Sequence, residues 1–296
     1  MLHNSQKDFL KRHIGPSEED KSKMLKKLNY KSLDDLIDNT VPEKIQFKGE
    51  LNIGESNSEY EALRKLKTIS KKNQIYSNFI GMGYYGTYTP YVILRNILEN
   101  PGWYTSYTPY QPEVAQGRLE MLLNFQQMIV DFTGMDIANA SLLDEGTAAA
   151  EAMGLSHRLN KSDSNLVFVS ENCHPQTIDV IQTRAEPMGL KVLVGNEDKV
   201  LEQLKEDIVC GILQYPGTLG DIKDPSEAIS KIHKKNGKAI LACDLLALAK
   251  LKTPRELGAD IAVGSSQRFG IPMGYGGPHA AFFATKDEYK RSMPGR

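Results

Sequence analysis

Short apolar runs alternate with helical patterns over residues 165–263, and this alternation constrains the fold more than any other feature of the sequence. The runs are rich in valine, isoleucine and leucine, which is typical of buried strands. Alternating strands and helices form a largely parallel sheet that is covered on both faces, with right-handed crossovers. The predicted strands are Leu166–Val169, Lys191–Val194, Ile208–Gln214, Ala239–Asp244 and Asp260–Val263, and the predicted helices are His174–Arg184, Lys199–Lys205 and Pro225–Lys235.

The N-terminal part of the chain carries helical patterns without strand patterns. Ser17 precedes a run of acids and Ser32 precedes a second apolar pattern, so both serines are predicted to be N-caps. A third helical pattern covers residues 59–72, and no catalytic grouping occurs in this part. We therefore expect a helical extension over residues 1–75 and an α/β domain over residues 76–296.

Composition excludes several classes of function. The chain has 296 residues, of which 40% are hydrophobic, and this suffices for a sizeable core. With 36 basic and 37 acidic residues, the net charge of −1 implies no broad field for nucleic acid or an anionic membrane. The three cysteines lack metal-ligand spacing, which predicts no metal site and favours a reducing compartment.

The expected compartment follows from what the sequence lacks. No apolar run reaches membrane-spanning length, and the N-terminus has no apolar signal core. The cytoplasm is therefore the expected location. The mitochondrial matrix is the alternative for a processed protein.

Two loops rich in tyrosine, glycine and threonine, residues 79–90 and 103–113, flank a short apolar helix that is predicted over residues 91–98. Tyrosines on glycine-flanked loops present hydroxyl groups and apolar faces together, as binding surfaces do. An internal aromatic cluster would have the same composition. The composition alone supports these two interpretations equally.

After these loops the sequence predicts one long amphipathic helix over Ala115–Thr133. Its apolar residues recur at helical spacing, so one face is expected to be buried. The candidates for that face are Leu119, Leu122, Leu123 and Met128.

The segment from Ala239 to Pro278 combines two predicted strands with a glycine-rich turn. The first strand ends at Asp244, and an acid at the carboxyl end of a parallel strand lies where open α/β sheets bind ligands. The segment resembles the cofactor region of pyridoxal-phosphate enzymes of fold type I. More closely, it resembles the N-terminal half of glycine decarboxylases, the pyridoxal-phosphate P-proteins of the glycine cleavage system.

This resemblance covers nearly the whole chain, because His13-Ile-Gly-Pro16 and both tyrosine-rich loops also resemble that family. It implies an α/β fold, the fold type I large domain with a mostly parallel sheet and helices on both faces, preceded by a helical N-terminal extension. Enzymes of this fold carry a smaller C-terminal domain after the large one. The chain, which stops at Arg296, is therefore expected to be incomplete.

The resemblance fails at the residue that matters most for the chemistry. In the C-terminal half of that family a lysine precedes the glycine-rich turn and forms the Schiff base with the cofactor. The matching position here is Gln267, and a carboxamide cannot form an aldimine because that reaction needs a primary amine. Lys250 and Lys252 lie upstream and do not match this position.

The predicted phosphate site also departs from the family. Glu145, Gly146 and Thr147 begin a predicted helix at the place where the fold cradles the cofactor phosphate with backbone N–H groups. The catalytic half of the family has a serine where this chain has Glu145, with Asp144 beside it. At about 4 Å each carboxylate would repel a phosphate by roughly 1–4 kcal/mol. A simple acidic helix cap is therefore the favoured interpretation.

Two further residues occupy cofactor-site positions. The resemblance implies that His174 matches a histidine that stacks on the pyridine ring and that Asp244 matches the acid that pairs with the pyridinium nitrogen. From the residues alone, a hydrogen-bonded histidine at a helix start and a strand-end acid that caps a backbone N–H are favoured. Together with Glu145, Gly146 and Thr147, these residues look like a degenerate copy of a duplicated site.

The resemblance implies a function for the complete enzyme: decarboxylation of glycine and transfer of its aminomethyl group to a lipoyl carrier (H) protein. The lysine-bearing partner half would bind pyridoxal phosphate, and none would be covalently bound to this chain, which is expected to be inactive alone. It would complete the wall of the active site. The candidate residues that face the partner half are Tyr84, Tyr85, Thr108, Gln111 and Glu113.

Two alternatives remain at this point. A stand-alone scaffold or binding protein could have kept the fold and lost the chemistry. An independent pyridoxal-phosphate enzyme, such as an aminotransferase, would have to use Lys250 or Lys252, both of which precede the second strand of the 239–278 segment.

Overall fold

The structure, a computed structural model, describes residues 13, 15–54, 57–105, 107, 111–274, 277 and 279–295. The chain divides into two compact units, Met1–Ser77 and Asn78–Arg296. In the described part of the first unit the regular elements are all helices, whereas the second unit contains a sheet with helices.

Each α-helix in the described part of the first unit begins at a serine. The side chains of Ser17, Ser32 and Ser58 accept hydrogen bonds from backbone N–H groups in the first helical turn, as N-caps do. At Ser17 and Ser58 an acid completes a capping box. The predicted caps Ser17 and Ser32 are confirmed. The elements are α1 Glu18–Lys27, α2 Leu33–Thr40 and α3 Glu59–Ser70, with a 3₁₀ turn at Glu43–Ile45.

The second unit is built on one sheet. Its described strands are β1 Ile137–Ala138, β2 Leu166–Ser170, β3 Lys191–Gly195, β4 Cys210–Tyr215, β5 Lys238–Cys243, β6 Ile261–Ser265 and β7 Ala281–Thr285. They lie in the order β1-β7-β6-β5-β4-β2-β3. Strands β2 to β6 are parallel, and β7 runs antiparallel between β1 and β6. The predicted strands and the mostly parallel sheet are confirmed, and β1 and β7 are additional.

Helices connect and cover these strands. They are α4 Pro112–Thr133, α5 Glu145–Leu159, α6 Pro175–Ala185, α7 Glu197–Gln203, α8 Ser226–Lys234 and the short α9 Leu245–Leu248. A helical turn at Tyr91–Ile93 continues into a π-helical turn at Leu94–Leu98, and 3₁₀ turns occur at Glu186–Met188, Gln267–Phe269 and Asp287–Ser292. The helices predicted from the sequence are therefore confirmed, with small shifts at their ends.

One prediction about α4 is wrong. Leu123 is 66% exposed, although Leu119, Leu122 and Met128 are half-buried as expected. The reason is that α4 packs against β1, β7 and α9, and full burial is confined to a narrow stripe that includes Ile129. Leu123 lies outside that stripe.

The core lies on both faces of the sheet. The neighbours Phe282 and Phe283 in β7 are fully buried and belong to different core clusters, as the alternation of side chains along a strand requires. One cluster includes residues of α4, α7, α8 and α9, and the other includes residues of α5 and α6. The sheet is therefore the middle layer of three, as the βα alternation predicted.

All three cysteines are buried in this core. Cys173, Cys210 and Cys243 are free thiols with almost no exposed surface. Burial raises the pKa of all three thiols, that of Cys210 to about 12. The thiolate, the reactive form, is therefore scarce at neutral pH at each position.

Gly264 in β6 allows the closest backbone approach near the carboxyl edge of the sheet. A Cβ atom there would lie 2.2 Å from the carbonyl oxygen of Cys243 and 2.7 Å from the ring of Phe282. The first contact is with backbone, which cannot rotate away. Glycine is therefore required for β6 to pass the end of β5 at this distance.

A buried acid stabilises the opposite edge of the sheet. Asp260 accepts hydrogen bonds from the backbone N–H of Ala239 at 2.8 Å and from Nζ of Lys286 at 2.5 Å, and its Oδ2 lies 2.7 Å from Nε2 of His233. Burial alone would raise the pKa of this carboxyl, but the bonds from His233, Lys286 and Ala239 outweigh it and lower the pKa to about 2. The carboxylate thus joins α8, β5 and the end of β7.

We expect Gly264→Ala to lower the free energy of unfolding by about 1–3 kcal/mol, because the added methyl group overpacks the junction of β5 and β6. The matched control is Gly154→Ala in α5, where the nearest heavy atom to the new Cβ is 3.6 Å away. That change should be neutral or should stabilise by up to about 1 kcal/mol. Urea unfolding of both variants measures the difference, and equal stabilities would contradict the close approach.

We expect Asp260→Asn to lower the free energy of unfolding at pH 7 by about 2–4 kcal/mol, because it removes the charge that His233 and Lys286 surround. Since the pKa of Asp260 is lowered in the folded state, its contribution is present above about pH 4 and is lost as the pH falls towards 2. The difference in the free energy of unfolding between wild type and Asp260→Asn should therefore disappear as the pH falls towards 2. Asp287→Asn, at an exposed pair with Lys290, should change stability by less than about 1 kcal/mol.

Candidate functional site

The candidate site lies at the carboxyl edge of the parallel strands, where open α/β sheets bind ligands. It consists of two small adjoining clefts with cavity volumes of about 80 and 20 Å³. Gly83, Glu145, His174 and Ser265 line both clefts. The site thus joins the loop of residues 82–89, the N-termini of α5 and α6, and the end of β6.

The acid that caps α5 is Asp144. Its Oδ1 accepts a hydrogen bond of 2.7 Å from the backbone N–H of Thr147. The neighbouring Glu145 turns inward, and its Oε1 is buried without a hydrogen-bond partner among the described residues. The acidic cap that the sequence suggested is therefore Asp144, and Glu145 has a different environment.

Gly146 brings the two helix starts together. A Cβ atom on this buried glycine would lie 3.2 Å from Cγ2 of Val180 and 3.5 Å from Cα of Thr177 in α6. The positive ends of the α5 and α6 dipoles therefore meet near Glu145. A carboxyl group stands where two helix N-termini would attract an anion.

The buried carboxyl and the adjacent imidazole are both neutral over a range of pH. Burial raises the pKa of Glu145 to about 7; the side chains of Gln214 and Thr177 offset only part of this rise, and the carboxylates of Asp244 and Asp144 add to it. Burial lowers the pKa of His174 to about 4. Oε1 of Glu145 lies 3.9 Å from Nε2 of His174, but this contact is not an ion pair, because the histidine loses its charge at a lower pH than the carboxyl gains one.

His174 is the N-cap residue of α6. Its Nδ1 lies 3.1 Å from Oγ1 of Thr218, and its ring packs against Gly83, where a Cβ would lie 3.1 Å from Cδ2. Gly83 has a φ of +84°, so glycine suits this position for its backbone conformation as well as for space. The imidazole thus contacts the tyrosine-rich loop.

Asp244 has a cationic partner within the chain. Its Oδ1 accepts a hydrogen bond of 3.0 Å from the backbone N–H of Leu246, which caps α9. Its Oδ2 lies 3.4 Å from Nε of Arg268. The guanidinium carbon of Arg268 lies 4.2 Å from the centre of the Tyr85 ring, a cation–π distance worth about 0.5–2 kcal/mol. Burial, followed by the charge of Asp244, raises the pKa of Tyr85.

Gln267 stands at the end of β6 with only 2% of its surface exposed. Its backbone N–H donates to Oγ of Ser265 at 3.2 Å, and its Nε2 has no hydrogen-bond partner among the described residues. An uncharged amide suits this buried position better than a lysine would, because a buried ammonium without a partner is costly.

The tyrosine-rich loop, which is residues 82–89 of the first of the two loops, is hydrogen-bonded to the same region. Nε2 of Gln176 donates to the carbonyl of Met82 at 2.7 Å, and Oγ1 of Thr87 donates to the carbonyl of Ile271 at 2.8 Å. Thr89 donates in the same way to the carbonyl of Gly270. The ring of Tyr84 meets that of His279 edge to face, with centroids 5.7 Å apart.

The structure brings some predicted residues together and leaves others apart. Tyr84, Tyr85, Glu145, His174, Asp244 and Gly146 all line one or both clefts. Gln111 and Glu113 are exposed at the start of α4 and do not line either cleft. Thr108 lies outside the described residues. Lys250 and Lys252 are exposed and line neither cleft.

Sequence reasoning missed Arg268 and Thr218. A signal for Arg268 existed in the sequence, because it lies directly beside the position of the expected lysine, where a cation needs an anionic partner. For Thr218 the sequence carried no signal, because its contact with His174 depends on the loop after β4.

The residues at this site do not fit pyridoxal phosphate. The acidic side chain of Glu145 lines the cleft beside the N-termini of α5 and α6, Asp244 is engaged by Arg268, and Gln267 offers no amine.

Two further classes of site can be addressed for the part of the chain that the structure describes. It contains no group of three or more histidine, cysteine, aspartate or glutamate residues placed to hold a metal ion. Its helices include none that is both long and apolar enough to cross a lipid bilayer.

Comparisons with known proteins agree on one family. The family model described as glycine cleavage system P-protein matches residues 11–296. Glycine dehydrogenase (decarboxylating) of Pelagibacter ubique strain HTCC1062 is 83% identical over 296 residues, which are 100% of this chain and 31% of that protein. The protein of the same name from Nostoc punctiforme is 59% identical over 97% of this chain and 29% of its own length. The chain thus spans less than a third of these relatives.

Solved structures give the same result. Glycine decarboxylase (P-protein) of the glycine cleavage system, in an inhibitor-bound form, superposes with a TM-score of 0.86 at 33% identity, over 96% of this chain and 65% of that chain. A sphingosine-1-phosphate lyase of Burkholderia pseudomallei shares the fold alone, with a TM-score of 0.64 at 13% identity over 85% of this chain and 64% of its own.

We expect Glu145→Gln to raise the free energy of unfolding at pH 8 by up to about 3 kcal/mol and to leave it nearly unchanged at pH 4.5. The pKa of Glu145 is raised to about 7 in the folded state, so its favourable contribution is complete below about pH 4.5 and is lost as the pH rises through 7. Urea unfolding from pH 4.5 to 8 tests this. Glu202→Gln, at an exposed position in α7, is the control, and its unfolding free energy should follow that of the wild type at every pH. If Glu145→Gln also followed the wild type, the carboxyl of Glu145 would have to be solvated.

Proposed function

The chain belongs to the glycine cleavage system P-protein family, and on that premise we propose that it is the half of a glycine decarboxylase that lacks the Schiff-base lysine. In this role it supports a lysine-bearing partner half. The pair decarboxylates glycine and transfers the aminomethyl group to a lipoyl carrier protein. Pyridoxal phosphate belongs to the partner half, and this chain alone is inactive.

The buried Gln267 is the observation that carries this proposal. A site that formed a Schiff base would need an amine at the end of β6, and the side chain there is an amide that is 2% exposed. Glu145 and Arg268 support the same conclusion, because an acidic side chain lines the cleft beside the two helix N-termini and a cation already engages the strand-end acid Asp244.

The surface near the tyrosine-rich loop supports the pairing. Phe79, Tyr88 and Tyr91 are 92%, 97% and 87% exposed. Large exposed apolar side chains that cluster along the chain mark interaction surfaces. We assign the loops that hold Tyr84, Tyr85 and Thr108, with Gln111 and Glu113, to the side of the chain that faces the partner's active site.

The remaining assignments follow the same proposal. Residues 1–75 form the helical extension and residues 76–296 the large domain. The three buried free thiols suit a reducing compartment such as the cytoplasm or the mitochondrial matrix.

Borohydride trapping tests the proposal. The chain is incubated with pyridoxal phosphate and reduced, and any pyridoxyl-lysine is mapped by mass spectrometry. We expect no specifically labelled lysine on the chain alone, because no lysine is among the described residues that line either cleft. With the lysine-bearing half added, the label should appear on that half and glycine decarboxylation should begin. A stoichiometric label on Lys250 or Lys252 would make the chain an enzyme in its own right.

The variant Gln267→Lys sharpens the same experiment. It supplies the missing amine but leaves Glu145 in the anion position, so we expect no glycine decarboxylation by this variant alone. Glycine turnover by the variant in the absence of the partner half would refute the assignment. If the unmodified pair is inactive although both halves are folded and associated, the chain is instead a scaffold that has lost the chemistry.

A further inference from the structure

Three side chains from separate segments form a layered contact at the site. Arg268 lies on the 3₁₀ turn after β6, Asp244 follows β5, and Tyr85 lies on the tyrosine-rich loop. The guanidinium is 3.4 Å from the carboxylate on one side and 4.2 Å from the ring centre on the other. The side chains of Arg268 and Asp244 are only 22% and 20% exposed, so solvent screens the contact weakly.

The nature of Arg268 suits it to this contact. A guanidinium is planar and weakly hydrated, so it can stack on an aromatic face and pair with a carboxylate at once, which a lysine ammonium does less well. Nε of Arg268 is buried and has no hydrogen-bond partner among the described residues. The Tyr85 ring and the Asp244 carboxylate are the two contacts that the structure shows for the guanidinium within the described residues.

The loop needs such a contact at its N-terminal end. Gly81, Met82 and Gly83 have φ values of +68°, +53° and +84° in succession. A left-handed conformation at a residue with a side chain, such as Met82, is unfavourable by itself and has to be held by its surroundings. Gln176 holds the carbonyl of Met82, and Arg268 holds the residue two positions after Gly83.

The other end of the loop is fastened to the segment that follows Arg268. Thr87 and Thr89 donate hydrogen bonds to the carbonyls of Ile271 and Gly270. Residues 268–271 therefore contact both ends of the loop, and Arg268 contributes a cationic contact to it.

From these contacts we infer that Arg268 is a positioning residue, which holds Tyr85 and so fixes the loop of residues 82–89 in the arrangement that places Tyr84 beside His279 and leaves Tyr88 exposed. The inference extends the proposed function. It rests on that function in one respect, namely that this loop faces the lysine-bearing half. Arg268 itself touches no substrate in this role. It acts through Tyr85.

Limited proteolysis of the chain alone tests the loop. Chymotrypsin cleaves after tyrosine, so under conditions in which each chain is cut at most once, cleavage after Tyr84 and Tyr85 reports opening of the intact loop, and cleavage after the exposed Tyr104 is an internal standard. We expect Arg268→Met to speed the first cleavages by about tenfold relative to the standard, because local opening governs such cleavage. Arg184→Met, which breaks an exposed ion pair with Glu151, is the matched control and should not change the ratio.

A second variant covers the case in which Arg268→Met fails to fold. Arg268→Lys keeps a charge opposite Asp244 and loses the planar stack, so we expect it to fold and to open the loop by about threefold. Tyr85→Phe keeps the ring, which chymotrypsin also accepts, and should cleave at the wild-type rate. An unchanged cleavage ratio in the folded Arg268 variants, or an equal rise at Tyr104, would overturn the inference.

Assembly with the lysine-bearing half tests the functional part. We expect the pair that contains Arg268→Met to lose about tenfold in glycine decarboxylation, in parallel with loop opening, while the pair with Arg184→Met keeps wild-type activity. Wild-type activity in the Arg268 variant pair would overturn the inference. An inactive unmodified pair would instead overturn the proposed function, and the proteolysis ratio would still decide whether Arg268 holds the loop.

Discussion

The parallel run of β2 to β6 is the constraint on which the rest of the second unit depends. Parallel strands end at one edge, so the residues that follow β2, β5 and β6 must meet there whatever their chemistry. The helices that return each strand start at that same edge, which concentrates their positive dipole ends. Gly264 tightens the edge further, because it lets β6 pass the end of β5 at a distance that excludes a methyl group. In such a sheet the topology determines where a ligand site can lie, and the side chains then determine what it can bind.

At this edge the chain places its own acidic and basic side chains where a ligand would bind. The carboxyl of Glu145 stands between two helix N-termini, and the guanidinium of Arg268 lies against Asp244. Tyr85, through its contact with Arg268, and Gly83, through its contact with His174, link this edge to the loop of residues 82–89. Under the proposed function, the half without the Schiff-base lysine would in this way hold a surface for the half that carries it.

The sequence predicted the parts of this arrangement that depend on local pattern. The central strands, the helices between them and the caps at Ser17 and Ser32 follow from periodicity and capping chemistry. Strand β7 was missed because it follows the glycine-rich turn and its antiparallel pairing depends on partners distant in sequence. The contact of Arg268 with Tyr85 was missed for the same reason. The sequence also could not distinguish the roles of Asp144 and Glu145, because both are acids at the start of the same helix. In the structure Asp144 caps the helix, whereas the side chain of Glu145 is buried.

The buried cysteines have a practical consequence for watching the loop move. All three thiols of the chain are enclosed in the core and resist ionisation, so thiol-reactive dyes have no fast target in the folded protein. The Tyr88→Cys substitution, at a side chain that is 97% exposed, would place a single accessible thiol on the loop. A fluorophore attached there needs no cysteine-free background, and its anisotropy would follow docking of a second chain in real time.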